Sequence, residues 1–265
     1  MGTVVSWNVA GRVRSVAEQA AAVGTLPADV VALQEVRASA FSAWRDALAA
    51  LGYPYVAATL SDAAAPAQPE RRLGVLAAGR APIEPLPPLA TLPWPERHLA
   101  VRTTLGDAPV ELHVLHAPIS QKADAVKVRT LEAMFAELAP PSALPRILVG
   151  DLNTPQYESR EGEVRTFART RAGKIRRDYG ERHDAAELAL IVGLRAHGYV
   201  DAFRAVNGYM ARGRSWVYGH GKMGYRLDHV IVRELEPSAC AYVHAWREQG
   251  LSDHSGIWAR LEASA

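Results

Sequence analysis

The chain has 265 residues, 49% of them hydrophobic and 22% charged, with a formal net charge of +2. That is enough apolar material for one large core, so a single domain over 1–265 is expected, and so small a charge does not by itself announce a nucleic-acid binder. Cys240, the one cysteine, excludes an internal disulfide and a cysteine-built zinc site. Met1-Gly2-Thr3-Val4-Val5-Ser6-Trp7-Asn8 lacks a basic region before an apolar run, and no apolar stretch is long enough to span a membrane. The expectation is a cytoplasmic monomer with no membrane and no protein partner.

Thr3 to Trp7 is predicted as a first strand, ending at Asn8. The Ala-rich segment Val13 to Val23 predicts a helix stopped by Pro27. Asp29 to Gln34 is a buried strand ending at Glu35, and Ser39 to Leu51 a helix closed by Gly52. Residues 61 to 71, rich in Ala, Pro and Gln, predict a surface loop. Leu73 to Ala78 is a strand, and the many prolines of Ala81 to Pro95 predict extended, non-helical chain. Ala100 to Leu105 and Val110 to Leu115 read as neighbouring strands around Gly106-Asp107, the second ending at His116. An amphipathic helix is predicted over Ala123 to Leu138. The apolar run Arg146-Ile147-Leu148-Val149 then leads into Gly150-Asp151-Leu152-Asn153-Thr154-Pro155. Residues 156 to 183 are polar, and the eight basic residues there outnumber the acidic ones. Ala185 to His197 is a predicted helix, and Leu227 to Val232 and Gly256 to Leu261 are late strands. Strands and helices alternate with hairpin-like pairs, and no linker divides the chain. This order predicts a mixed-sheet α/β or α+β fold.

Six apolar runs end in polar residues able to bind metal or phosphate. They are Asn8, Glu35, His116, Asp151 with Asn153, Asp228 with His229, and Asp253 with His254. Asp-x-Asn alone is more often the signature of a turn, and a lone His is more often structural. Together, at strand ends that a rigid sheet would hold at one rim, they suggest a site. Oxygen donors without cysteine suit Mg²⁺ or Mn²⁺. A carboxylate beside an imidazole, as in Asp253-His254, can fix the ring's tautomer.

These stretches resemble the endonuclease/exonuclease/phosphatase, or DNase I-like, superfamily. The carriers are Ser6-Trp7-Asn8, Leu33-Gln34-Glu35, Gly150-Asp151-Leu152-Asn153-Thr154-Pro155, Arg226-Leu227-Asp228-His229 and Ser252-Asp253-His254. Their order and spacing cover nearly the whole chain. Asp201-Ala202-Phe203-Arg204, and Ser215-Trp216 followed by Gly224-Tyr225-Arg226-Leu227-Asp228, look like its exonuclease III and AP endonuclease branch. That branch usually carries Tyr-x-Pro-Asn where this chain has His116-Ala117-Pro118-Ile119, which looks more like DNase I.

The resemblance implies a four-layer α/β sandwich of two mixed sheets flanked by helices, with the site at one end. It implies phosphodiester hydrolysis on DNA with Mg²⁺ or Mn²⁺, leaving a 5′-phosphate and a 3′-hydroxyl. Glu35 would hold the metal, with Asn8 and Asp253 near it. Asp151 would orient or deprotonate the attacking water and Asn153 would hold that water or a phosphate oxygen. His254, oriented by Asp253 or Asp228, would contact the phosphate or act as base, and His116 would donate to a phosphate oxygen or the leaving group. Arg165, Arg169, Arg176, Arg177 and Arg226 are candidates for tracking substrate phosphates. Trp216 and Tyr225, around the Gly-rich loop from His220 to Gly224, are candidates for stacking on a base or filling an abasic gap. His183, His197 and His244 read as structural. A phosphodiesterase or phosphatase for a small or lipid substrate is the competing reading.

Overall fold

The computed structural model describes residues 1–61, 68, 71–119, 125–218 and 223–263. Two six-stranded mixed sheets face each other. From edge to edge the first runs Leu235–Val243, Gly256–Ala263, Gly2–Asn8, Val30–Arg37, Leu73–Gly79 and Tyr55–Ala58. The second runs Tyr199–Asp201, Asp228–Arg233, Arg146–Asp151, Ala108–His116, His98–Leu105 and Glu84–Pro85.

Alternation along the strands builds the layers. Val4, Val30, Ala32 and Val75 of the first sheet face Val101, Leu112, Val149 and Val230 of the second, and this central layer is buried. The opposite side of the first sheet, with Val5, Trp7, Val31 and Leu33, packs under the helices Val16–Val23 and Phe41–Ala50 through Val16, Ala20, Trp44 and Leu48. The outer side of the second sheet, with Leu115, Leu148 and Ile231, packs under Ala125–Leu138 and Gly180–Ile191 through Leu131, Met134 and Leu190. The result is the expected four-layer sandwich of two mixed sheets between helices.

Some boundaries shift. The first helix begins at Val16 rather than Val13, behind Ser15. The helix expected over Ala185 to His197 starts at Gly180 and breaks after Ile191 into a separate 3₁₀ turn, Gly193–His197. The Leu235–Val243 strand was not predicted: it contains Pro237 and a bulge at Pro237/Ala239 and is largely half-buried, so its apolar alternation is weak. Most of the loop expected at 61–71, the helix start at Ala123, and His220, Gly221 and Lys222 lie outside the described residues.

Topology sets the polar strand ends beside one another. Gly2–Asn8 and Val30–Arg37 are parallel, with Asn8 opposite Gln34. Ala108–His116 and Arg146–Asp151 are parallel, with His116 opposite Asp151, and Asp228 is opposite Asp151 on the other side. Gly150 is required where the last two parallel strands close: its φ is +132°, and a Cβ there would lie 1.9 Å from the carbonyl oxygen of Leu115.

Candidate active site

Asp151 is the centre of the site. One of its oxygens accepts the backbone N–H of Asn153 at 2.9 Å. The other accepts Asn8 Nδ2 at 3.0 Å and lies 3.8 Å from His254 Nε2 and 4.0 Å from His116 Nε2. Two local backbone features aim the neighbours. Glu35 sits at a bulge between Gln34 and Val36 with φ +58°, and Asn153 leaves its strand with φ +50°. Such conformations are disfavoured for side chains larger than glycine and are held here by the surrounding sheet. Asn153 is further fixed by donation from its Nδ2 to the Ala117 carbonyl at 2.8 Å.

Asn8, expected near the metal, joins the two carboxylates. Its NH₂ group bridges two carboxylates, Glu35 and Asp151, at 3.0 Å each, and its oxygen accepts the Ala10 N–H at 2.9 Å. Adjacent carboxylates repel, and the amide donor between them reduces that cost. Ser252 ties this strand to the last loop: its hydroxyl donates to the Asn8 carbonyl at 2.6 Å and accepts the His254 N–H at 3.1 Å.

Asp228 is the orienting partner of His254. His254 Nδ1 donates to Asp228 Oδ2 at 2.8 Å, and Asp228 is held by the Ser215 hydroxyl, which accepts the N–H groups of Leu227 and Asp228 at 2.9 and 3.1 Å. Asp253, expected both near the metal and as a possible orienting group, is instead exposed and accepts the Trp216 indole N–H at 3.2 Å. His229, expected among the ligand-type residues, is fully buried: Nε2 donates to the Thr154 carbonyl at 2.8 Å and Nδ1 lies 3.2 Å from Asp201. It braces the loop that follows Asp151.

The electrostatics separate three roles. Burial pushes Asp151 up to about 7; the His254 charge and the Asn153 N–H pull it down, and the Asp228 and Glu35 charges push it up. Burial alone would lower His254, yet the Asp228 and Asp151 carboxylates outweigh it and raise it to about 10, so the ring is an imidazolium at neutral pH. Burial, with the Arg97 and His254 charges, holds His116 well below the ordinary imidazole range and therefore neutral. Arg97 was missed in the sequence. It is buried, its guanidinium donates to His116 Nδ1, and the same nitrogen lies 3.3 Å from Nε2. It follows a proline-rich segment, and no local pattern marks it.

The cluster fits a divalent cation. Glu35, His116 and Asp151 each offer a ligand atom within 4.8 Å of the others, as do Asp151, Asp228 and His254. Arg97 engages His116 and Asp228 engages His254, so the carboxylates are the available donors. Asp228 Oδ1 is buried without a hydrogen-bond partner. A set of oxygen donors suits a hard cation.

The expected substrate arginines divide. Arg226 is buried rather than presented to a ligand, because its guanidinium forks onto Glu158 at 2.6 and 2.8 Å and reaches Asp201 at 2.8 Å. Arg169 forks onto Asp184 at 2.7 and 2.5 Å. Arg165 bonds Gln156 and the Arg171 carbonyl. Arg176 lies over Tyr179, 3.8 Å from Asp178, and Arg177 is exposed. Trp216 and Tyr225 face each other across the hairpin Trp216–Tyr218/Met223–Tyr225, their rings 6.0 Å apart and within 6° of parallel. A bridge from Trp216 to His254 fastens this aromatic hairpin to the site.

The model of the Endonuclease/Exonuclease/phosphatase family matches residues 5–254. No curated protein matches the chain by sequence. An AP endonuclease from Archaeoglobus fulgidus is similar in structure, with a TM-score of 0.74 at 18% identity over 99% of this chain and 100% of that one. The 3′-5′ exonuclease NExo from Neisseria meningitidis gives 0.70 at 18% identity over 98% and 99%. D. rerio TDP2 complexed with a single-strand DNA product gives 0.69 at 18% identity over 98% of each chain. At these identities the likeness establishes the fold.

Proposed function

Because the chain belongs to the endonuclease/exonuclease/phosphatase family, we propose that it is a phosphodiesterase acting on DNA and dependent on Mg²⁺ or Mn²⁺. The observation that carries this reading is the convergence of Glu35, His116, Asp151, Asn153, Asp228 and His254 at one end of the sandwich, with a different protonation state favoured at each of three centres.

Asp151 is the base. Its affinity for a proton lies near neutrality, where a base both is ionised and accepts a proton well. His254, charged and oriented by Asp228, donates from Nε2 to the phosphate and offsets charge that grows in the transition state. Neutral His116, whose Nδ1 accepts from Arg97, carries its proton on Nε2 and donates toward a phosphate oxygen or the leaving oxygen. Asn153, pinned on both sides, positions the water or a phosphate oxygen. A cation bound at Glu35 would supply Lewis-acid stabilisation of the phosphate.

DNA is favoured by the aromatic hairpin beside His254 and by similarity to structures described as an AP endonuclease, a 3′-5′ exonuclease and a complex with single-strand DNA. A small or lipid phosphoester is the second reading, favoured by the net charge of +2 and by His116 in place of the usual Tyr.

The test is cleavage of three labelled DNAs, with either cation and with chelator: an intact duplex, a duplex with one abasic-site analogue, and a single strand. Bis-p-nitrophenyl phosphate runs beside them. Chelator-sensitive incision at the abasic site or stepwise 3′ digestion is the expected result. Scattered cuts in all three would make the enzyme DNase I-like. Hydrolysis of the small diester with every DNA untouched would overturn the DNA reading.

A further inference from the structure

Beside the catalytic loop lies a cavity of about 280 Å³ that the proposed chemistry does not use. It begins at Pro155, two residues beyond Asn153, and closes on the 209–214 loop and on Tyr225 of the aromatic hairpin. Its charge is uneven. Arg160, Arg204, Arg212, Arg214 and Arg226 line it, against a single carboxylate, Glu158, among the described residues.

The floor is neutralised internally. Arg204 and Arg226 both fork onto Glu158, and Arg226 also pairs with Asp201. Arg204 donates as well to the carbonyls of Gly208 and Ala211 at 3.0 and 2.8 Å, which fixes the loop that carries Arg212. The rim differs: Arg160 and Arg212 are exposed.

Aromatic surface adjoins these cations. Tyr225 is supported by Trp216 and by the edge of Phe167 at 5.0 Å, and half-exposed Tyr157 is backed by the Arg165 guanidinium at 4.7 Å. Held rings beside an unbalanced cationic rim match a planar base joined to a phosphate. The volume is near the small end of ligand pockets, roughly 300 Å³, and suits one such unit. A small carboxylate would answer the charge and leave the rings unused.

We propose that this cavity holds one unpaired nucleotide of the substrate strand, its phosphate on Arg160 and Arg212 and its base against Tyr157 and Tyr225. The inference rests on the reading of the protein as a DNA phosphodiesterase and adds a single-strand subsite on the Pro155 side of the reacting phosphate.

The test is equilibrium binding of fluorescein-labelled hexathymidylate, in the Asp151→Asn background with Mg²⁺ present so that the strand stays intact. Adding Arg160→Gln and Arg212→Gln weakens binding and reduces the slope of log affinity against log salt by about 0.7, the value for one single-strand phosphate contact. Adding Tyr157→Ala instead weakens binding about tenfold with the slope unchanged. That loss disappears when an abasic unit replaces one particular nucleotide. An unchanged slope in an arginine variant with an unchanged melting temperature overturns the subsite, as does equally tight binding of a blunt duplex. If the Asp151→Asn parent binds no strand while the wild type hydrolyses bis-p-nitrophenyl phosphate, the DNA reading falls with it. If the parent binds the strand and the arginines do not matter, only the subsite falls.

Discussion

Replacing Lys127 by Met should destabilise the protein and slow it together, because this lysine holds the catalytic loop from behind. Lys127 is 1% exposed. Its Nζ donates to Glu187 at 2.6 Å and to the Asn153 carbonyl at 2.8 Å, and lies 5.3 Å from the Phe167 ring centre. Glu187 is fully buried and also accepts the Thr154 hydroxyl, the Phe167 N–H and His183, each at 2.9 Å. Burial would raise its carboxyl, but His183 and Lys127 pull it below the ordinary range. Removing one member of such a buried pair strands the other charge, at a cost of about 3–5 kcal/mol. At roughly 2–4 °C per kcal/mol for a domain of this size, melting should fall by about 10 °C. Turnover should fall by up to about a hundredfold, the scale for misplacing a reacting group by 1 Å, with a smaller change in KM. Glu187→Gln should cost a similar amount, and the double variant should cost clearly less than the sum. Calorimetry and steady-state hydrolysis of bis-p-nitrophenyl phosphate measure these quantities. A Lys127→Met protein that melts within about 2 °C of wild type would refute the reasoning.

Asp151→Asn or His254→Ala should leave the fold intact and lower kcat at least about a hundredfold, and wild-type turnover in either folded variant would remove it from the mechanism. Arg97→Met deprives His116 Nδ1 of its donor. The ring then mixes tautomers, and long-range ¹H–¹⁵N spectra should show loss of a pure Nε2–H form alongside reduced kcat; an unaltered tautomer would end that assignment. In acid, burial would raise Glu158, but the Arg226 charge and hydrogen bonds from Arg226 and Arg204 bring it down to about 2, and Asp201 is lowered too by Arg226 and His229 against its own burial. A depressed folded value contributes stability above the unfolded value of about 4.3 and loses it as pH falls toward 2, about 3 kcal/mol for Glu158. Urea titrations at pH 6 and pH 3 should therefore show a steeper loss in wild type than in Arg226→Met, and parallel losses would contradict the pairing.

The fold was legible because the strands are strongly patterned. Val4-Val5, Val30-Val31 and Ile147-Leu148-Val149 each place one side chain in the central layer and the next under a helix, so an apolar run without polar interruption marks a strand covered on both faces. Each run stops where the sandwich ends, and this made Asn8, Glu35, His116 and Asp151 visible as a group. The orientation of Asn8 was not legible. Whether an amide presents its oxygen to a cation or its NH₂ to carboxylates depends on the Ala10 N–H, which a local turn brings to within 2.9 Å. The choice between Asp228 and Asp253 as the partner of His254 was also hidden. Adjacent residues on an extended chain point apart, so the sequence neighbour Asp253 is poorly placed to orient His254, whereas Asp228 reaches it across space.

The same logic governs the arginines. A count along residues 156 to 183 gives a basic surface, yet a guanidinium is available to substrate only if no buried carboxylate reaches it first. Asp184 takes Arg169, and Glu158 with Asp201 takes Arg204 and Arg226. Those carboxylates lie 15 to 68 residues away in sequence from the arginines they hold. They come close only through the tertiary fold. The pinned arginines hold the framework together, and the rim around Arg160 and Arg212 is left to meet an anion. Framework and recognition thus use one residue type, and the distance to a buried carboxylate decides which role each arginine takes.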